Sequence, residues 1–192
     1  MAAPRFGSGE AVKAFLAGRW SFSKAINYRV GGGRGTMTGE ATFVESPQLS
    51  SVLMYEERGM FHLEGYPNPF EASRRYCFNT ATWPVEVYFV DDHTKKHLET
   101  LLPELDCHTS FFVPLPFGSS ESAGEEAATE EAQGNSTSAG TSASAQFRHL
   151  CINDLYSGTL EATGADNFEW SWNVVGPNKD GDIHTKYLRL DS

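Results

Sequence analysis

From Phe168 to Val174 the chain alternates bulky apolar and polar side chains, with Phe168, Trp170, Trp172 and Val174 on one side and Glu169, Ser171 and Asn173 on the other. A period of two belongs to a strand with one buried face and one wet face; a helix would scatter these residues around its circumference. Two indoles on one strand face form a large apolar wall that the rest of the chain has to cover. Gly176-Pro177 ends the segment, because neither residue continues a ladder well.

The same period recurs. Trp20, Phe22, Lys24, Ile26 and Tyr28 alternate with small or polar residues, and so do Phe70, Ala72, Arg74, Tyr76 and Phe78. Val85, Val87 and Phe89 give another face, and further strands are expected over 37–44, 51–58, 60–63, 147–152, 155–163 and 183–190. The run Gly31-Gly-Gly-Arg-Gly35 reads as a hairpin turn and Gly59 as a tight reversal. Pro114 and Pro116 restrict 111–117 to an edge strand or a cover. The stretch 91–107 is less regular, with room for a helical turn. Before all of these, Ser8 caps a short helix to Ala17, with Val12, Phe15 and Leu16 on one face and Gly18 at its stop. About ten short strands with almost no helix predict an all-β fold, a single antiparallel barrel of about 8–10 strands or else a sandwich.

One stretch differs in kind. Gly118 to Ala145 is Ser, Ala, Gly, Thr and Glu apart from Gln133 and Asn135, without an aromatic residue. It buries too little apolar surface to offset its ordering entropy, so it is expected to be a disordered insertion in a surface loop. Its Asn135-Ser-Thr137 triplet is expected to be a chance match in a Ser/Thr-rich tract. The expected organisation is one domain over 1–192, interrupted at 118–145, whose excision leaves the core untouched.

The net charge of −10 argues against a nucleic-acid partner, which needs a basic footprint. There is no apolar run of the ~18 residues that a membrane helix needs. The Met1–Phe6 start lacks the apolar core of a secretory signal. Cys77, Cys107 and Cys151 are sparse and unpaired in spacing, which suits reduced thiols. The expected location is therefore the cytoplasm, with the mitochondrion left open, and the expected state is a monomer.

Gly18-Arg-Trp20 follows the short helix and opens the first strand, and it resembles the Gly-x-Trp opening of lipocalins and the wider calycin superfamily. There the Trp closes one end of the barrel and an Arg near the end of the last strand lies over its ring. Arg189 stands in that place, with Lys186 as the substitute. Five blocks, the first of which includes this Gly-x-Trp motif, occur in order: Phe15-Leu-x-Gly-x-Trp20, Tyr55-Glu-Glu-x-Gly59, Phe70-x-Ala-x-Arg-x-Tyr76, His149-x-Cys-x-x-Asp-x-Tyr156 and Trp172-x-Val-x-Gly-Pro-x-Lys-Asp180. Together they resemble an uncharacterised calycin-like family of the DUF 6314 type, a domain of unknown function. The resemblance implies a barrel and no established activity. Two departures from it are the 118–145 insertion and Gly181, where an aromatic residue is expected.

Arg74 shares the apolar strand face with Tyr76 and Phe78. An inward charge needs a partner, so Arg74 meets a ligand carboxylate, as in fatty-acid-binding calycins, or an internal acid, or it snorkels at the rim. His149 and Cys151 share a face, with Asp154 in the following turn and Tyr156 beyond it. This set suits either a buried polar cluster of His149 with Asp154 or Tyr156, or zinc helped by His93, His97, Cys107 and His108. Haem on a lone axial His149, as in some calycin barrels, is a third option. Lys179 is placed to gate an open barrel end.

Two function classes follow. In one, the barrel takes a small apolar or amphipathic ligand lined by Arg74, Tyr76, His149, Asp154, Tyr156, Trp172 and Lys179. In the other, bulky inner residues fill the barrel and the chain is a protein–protein interaction module. No catalytic constellation is complete, so an enzyme ranks third.

Overall fold

The computed structural model describes residues 3–91, 102, 104, 105, 107–117 and 143–190. A helix, α1 (Gly9–Leu16), precedes ten strands: β1 (Gly18–Val30), β2 (Arg34–Glu45), β3 (Val52–Leu63), β4 (Phe70–Asn79), β5 (Val85–Asp91), β6 (His108–Leu115), β7 (Ser144–Cys151), β8 (Asp154–Ala162), β9 (Asn167–Val175) and β10 (Asp180–Arg189). All pairings are antiparallel, in the order β6-β5-β4-β3-β2-β1-β10-β9-β8-β7. Every strand is thus beside its chain neighbour, and β1 joins β10, with Trp20 opposite Arg189 and Ile26 opposite Ile183. No ladder connects β6 to β7 among the described residues, although the two lie side by side. The result is an up-and-down calycin-like barrel with one seam, and Pro114 stands on the edge strand beside that seam, where its missing N–H costs least.

Meander topology puts alternate connections at opposite ends. The β1–β2, β3–β4, β7–β8 and β9–β10 turns ring one end. At the other end α1 covers the barrel. Ser8 caps it by accepting from the Ala11 amide, and Val12, Phe15 and Leu16 are buried. Trp20 is fully buried beneath the helix. Its Nε1 donates to the Leu16 carbonyl at 2.8 Å, and its ring meets Phe168 edge-on at 4.8 Å. The Arg189 guanidinium lies 4.1 Å over the Trp20 ring and donates to the Phe15 and Ala17 carbonyls. Those carbonyls have no partner inside the helix, so one cation satisfies the helix end while packing on the indole. Lys186 instead points outward toward Glu169.

Three expectations change. Gly59 is no reversal: β3 runs unbroken through it, opposite Gly39. A side chain at Gly59 would run into the Thr38 carbonyl and one at Gly39 into that of Arg58. The two strands press together there, which is what glycine permits at a bend in a curved sheet. The insertion boundary at Ala145 is also too long, because β7 starts at Ser144 and Ala145 is fully buried opposite Leu160. Small residues had masked a strand start, and excision through Ala145 would cut into β7. Residues 118–142 themselves lie outside the described residues, as do His93 and His97. The third concerns Gly181, where a side chain would strike Tyr28 and the Asn27 carbonyl. An aromatic residue has no room there because β1 crosses too closely.

Candidate functional site

Side chains of six strands, with β2 contributing Met37, meet in a cavity of about 310 Å³. Lys24 comes from β1, Tyr55 and Glu57 from β3, Arg74 and Tyr76 from β4, Trp170 and Trp172 from β9, and Thr185 and Tyr187 from β10. Phe61, Phe70 and Ile183 complete the apolar wall. Tyr76 and Trp172 stack on either side of Phe112, at 5.6 and 4.9 Å between ring centroids, and so hold the β6 edge against the barrel across the seam.

The inner end of the cavity is polar and already paired. Lys24 Nζ contacts Glu57 Oε1 in a buried ion pair. Tyr55 donates to Glu57 Oε2 at 2.6 Å, and its oxygen lies 2.8 Å from that of Tyr187. Burial pushes both phenols well above their ordinary value and pushes Tyr76 up to about 12. At neutral pH all three are uncharged hydrogen-bonding groups.

Two groups lining the same cavity are not paired. Arg74 stands opposite Glu57 in the ladder, yet Glu57 is taken by Lys24. Arg74 is exposed and forms no ion pair among the described residues, so the internal acid expected as one of its partners is absent from that set. Trp170 is buried, and its Nε1–H finds no acceptor among the described residues. A buried donor without an acceptor is costly and uncommon.

The other sequence candidates sit elsewhere. Asp154 is buried and accepts from the Asn178 and Lys179 amides at 3.0 and 3.2 Å, stapling the β9–β10 turn. Lys179 Nζ donates to the Tyr156 hydroxyl at 3.2 Å at the open end. That hydrogen bond raises the ammonium's affinity for its proton. His149 faces Phe112 at 5.3 Å and hydrogen-bonds to its backbone across the seam. Of the expected cluster, Asp154 is occupied by turn amides, while His149 stands opposite Tyr156 in the ladder with ring centroids 6.3 Å apart. His149 does not line the cavity, which removes the geometric basis for an axial haem ligand. Cys151 is exposed at the hairpin end, and Cys77 is buried with its thiol pushed up to about 12 by desolvation. Among the described residues no three His, Cys, Asp or Glu side chains converge as metal ligands.

Burial lowers the His149 pKa. The unfolded chain then binds a proton near pH ~6.5 that the fold resists, so stability falls as pH drops through that value. His149→Gln is expected to flatten the dependence of Tm on pH between about 5 and 7. Parallel melting curves for the two proteins would contradict this.

On the outer face, Ser171 Oγ lies 2.7 Å from His184 Nδ1, and His184 Nε2 lies 3.1 Å from Glu169. The order is that of a hydrolytic relay. However, the amides around Ser171 are committed to the β8 and β10 ladders, which leaves no oxyanion hole.

Lys24, Tyr55, Glu57 and Tyr187 were missed from sequence. The signal was present: a cation and an anion of opposite sign both occupy inward places, Lys24 between Phe22 and Ile26 and Glu57 after Tyr55.

The fold is similar to two solved structures. One is the S-type phycobiliprotein lyase CPES from Guillardia theta, at 7% identity and TM-score 0.50, covering 98% of this chain and 99% of that one. The other is Rv2717c from M. tuberculosis, at 10% identity and TM-score 0.49, covering 97% and 99%. At such identity the first likeness speaks to fold alone. A search of curated proteins finds no match. A family profile spans residues 16–189, from the end of α1 through the arginine of the closed end, and thus takes in both the barrel closure and every strand of the cavity. The chain belongs to DUF6314, a family of unknown function.

Proposed function

We propose that the barrel binds a small amphipathic molecule carrying an anionic group and a hydrogen-bond acceptor. The observation that carries this is the pairing pattern of the cavity. Its inner polar end is satisfied, while the Arg74 guanidinium and the buried Trp170 indole N–H, neither of which has an acid or acceptor partner among the described residues, line the same space. Trp172, Phe61, Phe70 and Ile183 supply the apolar contact. A volume of about 310 Å³ is at the lower end of the ~300–1,000 Å³ of ligand pockets, which favours a compact ligand over a macrocycle.

The test titrates the protein with 1-anilinonaphthalene-8-sulfonate, followed by displacement with decanoate, reading probe emission and tryptophan quenching. One saturable site is expected, and Arg74→Ala is expected to weaken it about tenfold, as loss of one charge-assisted hydrogen bond does. Absence of saturable binding, or equal binding by the Arg74 variant, would overturn the assignment.

A further inference from the structure

Above the cavity, the next inward row of side chains is built around two phenols. Ile26, Ile183 and Trp172, which line the cavity, are cross-strand neighbours on β1, β10 and β9. Two residues nearer the open end on each strand, Tyr28 stands opposite Gly181, Gly181 opposite Val174 and Val174 opposite Tyr156. Residues two apart on a strand share a face, so this second row rims the mouth of the cavity. A side chain at Gly181 would come within 2.8 Å of the Tyr28 ring. With none there, that ring lies over β10, on the side of Tyr156. Lys179 Nζ donates to the Tyr156 hydroxyl at 3.2 Å, and Arg74 reaches the same space from β4.

Both cations act on Tyr28. Burial raises the Tyr28 pKa and the neighbouring Tyr156 adds to the rise, while Lys179 and Arg74 oppose it. Arg74 also opposes the rise at Tyr76. The acids of this end are committed or turned away. Asp180 and Asp182 alternate with the inward Gly181, so they stand on the outer face, where Arg29 holds both and Asn173 donates to Asp182. Asp154 Oδ1 accepts from the Asn178 and Lys179 amides. Glu57 is held by Lys24 and Tyr55, and Glu64 is exposed on the β3–β4 turn. No carboxylate is among the groups that act on Tyr28, and the largest influences on Lys179 are Tyr156, burial, Tyr28 and Cys151. The inner side of the mouth is thus cationic although the chain and its outer face are acidic.

We infer that the molecule held by the barrel is a phosphate monoester with a compact apolar tail, its phosphate seated at the mouth between Arg74 and Lys179 and its tail directed inward to Trp172 and Ile183. This rests on the reading of the cavity as a ligand site, and it names which anion that site takes and which way round the ligand lies. A phosphate monoester carries close to two negative charges and three acceptor oxygens. Two cations match that charge. The Tyr28 and Tyr156 hydroxyls add donors, since Tyr156 accepts from Lys179 and keeps its own O–H to give. A carboxylate has one charge and two oxygens, and it leaves one of the cations without an anion. Seating the charge at the mouth keeps part of the phosphate in water, which spares the cost of burying it.

The test is displacement of 1-anilinonaphthalene-8-sulfonate from the full chain by decyl phosphate and by decanoate, at one pH and one salt concentration. Decyl phosphate is expected to bind about tenfold more tightly, the worth of one further charge-assisted hydrogen bond. Lys179→Met is expected to abolish that preference. Tyr28→Phe, which keeps the ring and removes the hydroxyl, is expected to narrow it about threefold. Arg148→Met removes a cation from the outer face of β7, beside the buried Phe147, and is expected to leave the preference intact. Equal affinities in the parent, a preference that survives Lys179→Met, or one that falls as far in Arg148→Met would overturn the mouth site and leave the cavity's assignment standing. If neither amphiphile displaces the probe, the cavity's assignment itself fails and the mouth site with it.

Discussion

Trp20→Ala is expected to destabilise the fold by about 3–5 kcal/mol, the range for removing a fully buried aromatic side chain. The indole stands where three elements converge. It hydrogen-bonds to the last turn of α1, it packs edge-on against Phe168 of β9, and Arg189 of β10 lies over its face. Its loss opens a cavity and removes the surface on which the guanidinium rests. Arg189→Ala is expected to cost less, on the order of 1–2 kcal/mol, from the cation–π contact and the two helix-end carbonyls it serves. The losses should be non-additive in a denaturant-based double-mutant cycle, since contacting residues share one interaction. Additivity within error would mean that Arg189 acts on the helix carbonyls alone and that the closed end does not depend on the indole.

Glu57→Ala is expected to cost a similar amount, about 3–5 kcal/mol, for a different reason. The substitution strands the Lys24 ammonium in a buried site and deprives Tyr55 of its acceptor. A buried charge without its partner is the costly state, whereas the pair itself is close to neutral in stability. The double variant Lys24→Met/Glu57→Leu is therefore expected to recover most of the loss, and to match or exceed the parent in urea midpoint. If Glu57→Ala unfolds no earlier than the parent, water reaches the pair and the polar inner end of the cavity is wetter than its burial indicates. The two experiments probe the closed end and the inner wall of the cavity, which Phe168, Tyr187 and Tyr55 connect.

Much of this architecture was legible because strand alternation is a local property. Phe168 to Val174 show which of their side chains are buried without reference to any other segment, and the same holds for β1, whereas in β4 Phe70 and Arg74 are exposed and Cys77 on the opposite face is buried in a second cluster. The capped helix and the edge strand with its prolines were also readable, since each rests on residue types with few structural uses, and the Trp20–Arg189 closure was implied by the resemblance of Gly18-Arg-Trp20 to the calycin opening. Glycine was less legible. Gly59 and Gly181 look like turn or family positions in one dimension, but their role is close approach to another strand, which depends on what crosses there. The site was the least legible part. Arg74, Tyr76 and Trp172 were named from their faces and do line the cavity, whereas His149, Asp154, Tyr156 and Lys179 were grouped by spacing and are placed apart from it.

The sequence by itself determined strand periodicity, the inward face of the most regular strands, the cap at one end and the all-β class, because these follow from residues a few positions apart. Only the tertiary structure decided which inward charges pair. Lys24 and Glu57 are separated by a whole strand, and the choice of Lys24 over Arg74 as partner of Glu57 is made by closure of the sheet and the depth at which each side chain sits. That choice leaves the guanidinium of Arg74 without an ion pair among the described residues, lining the same cavity as the buried indole N–H of Trp170.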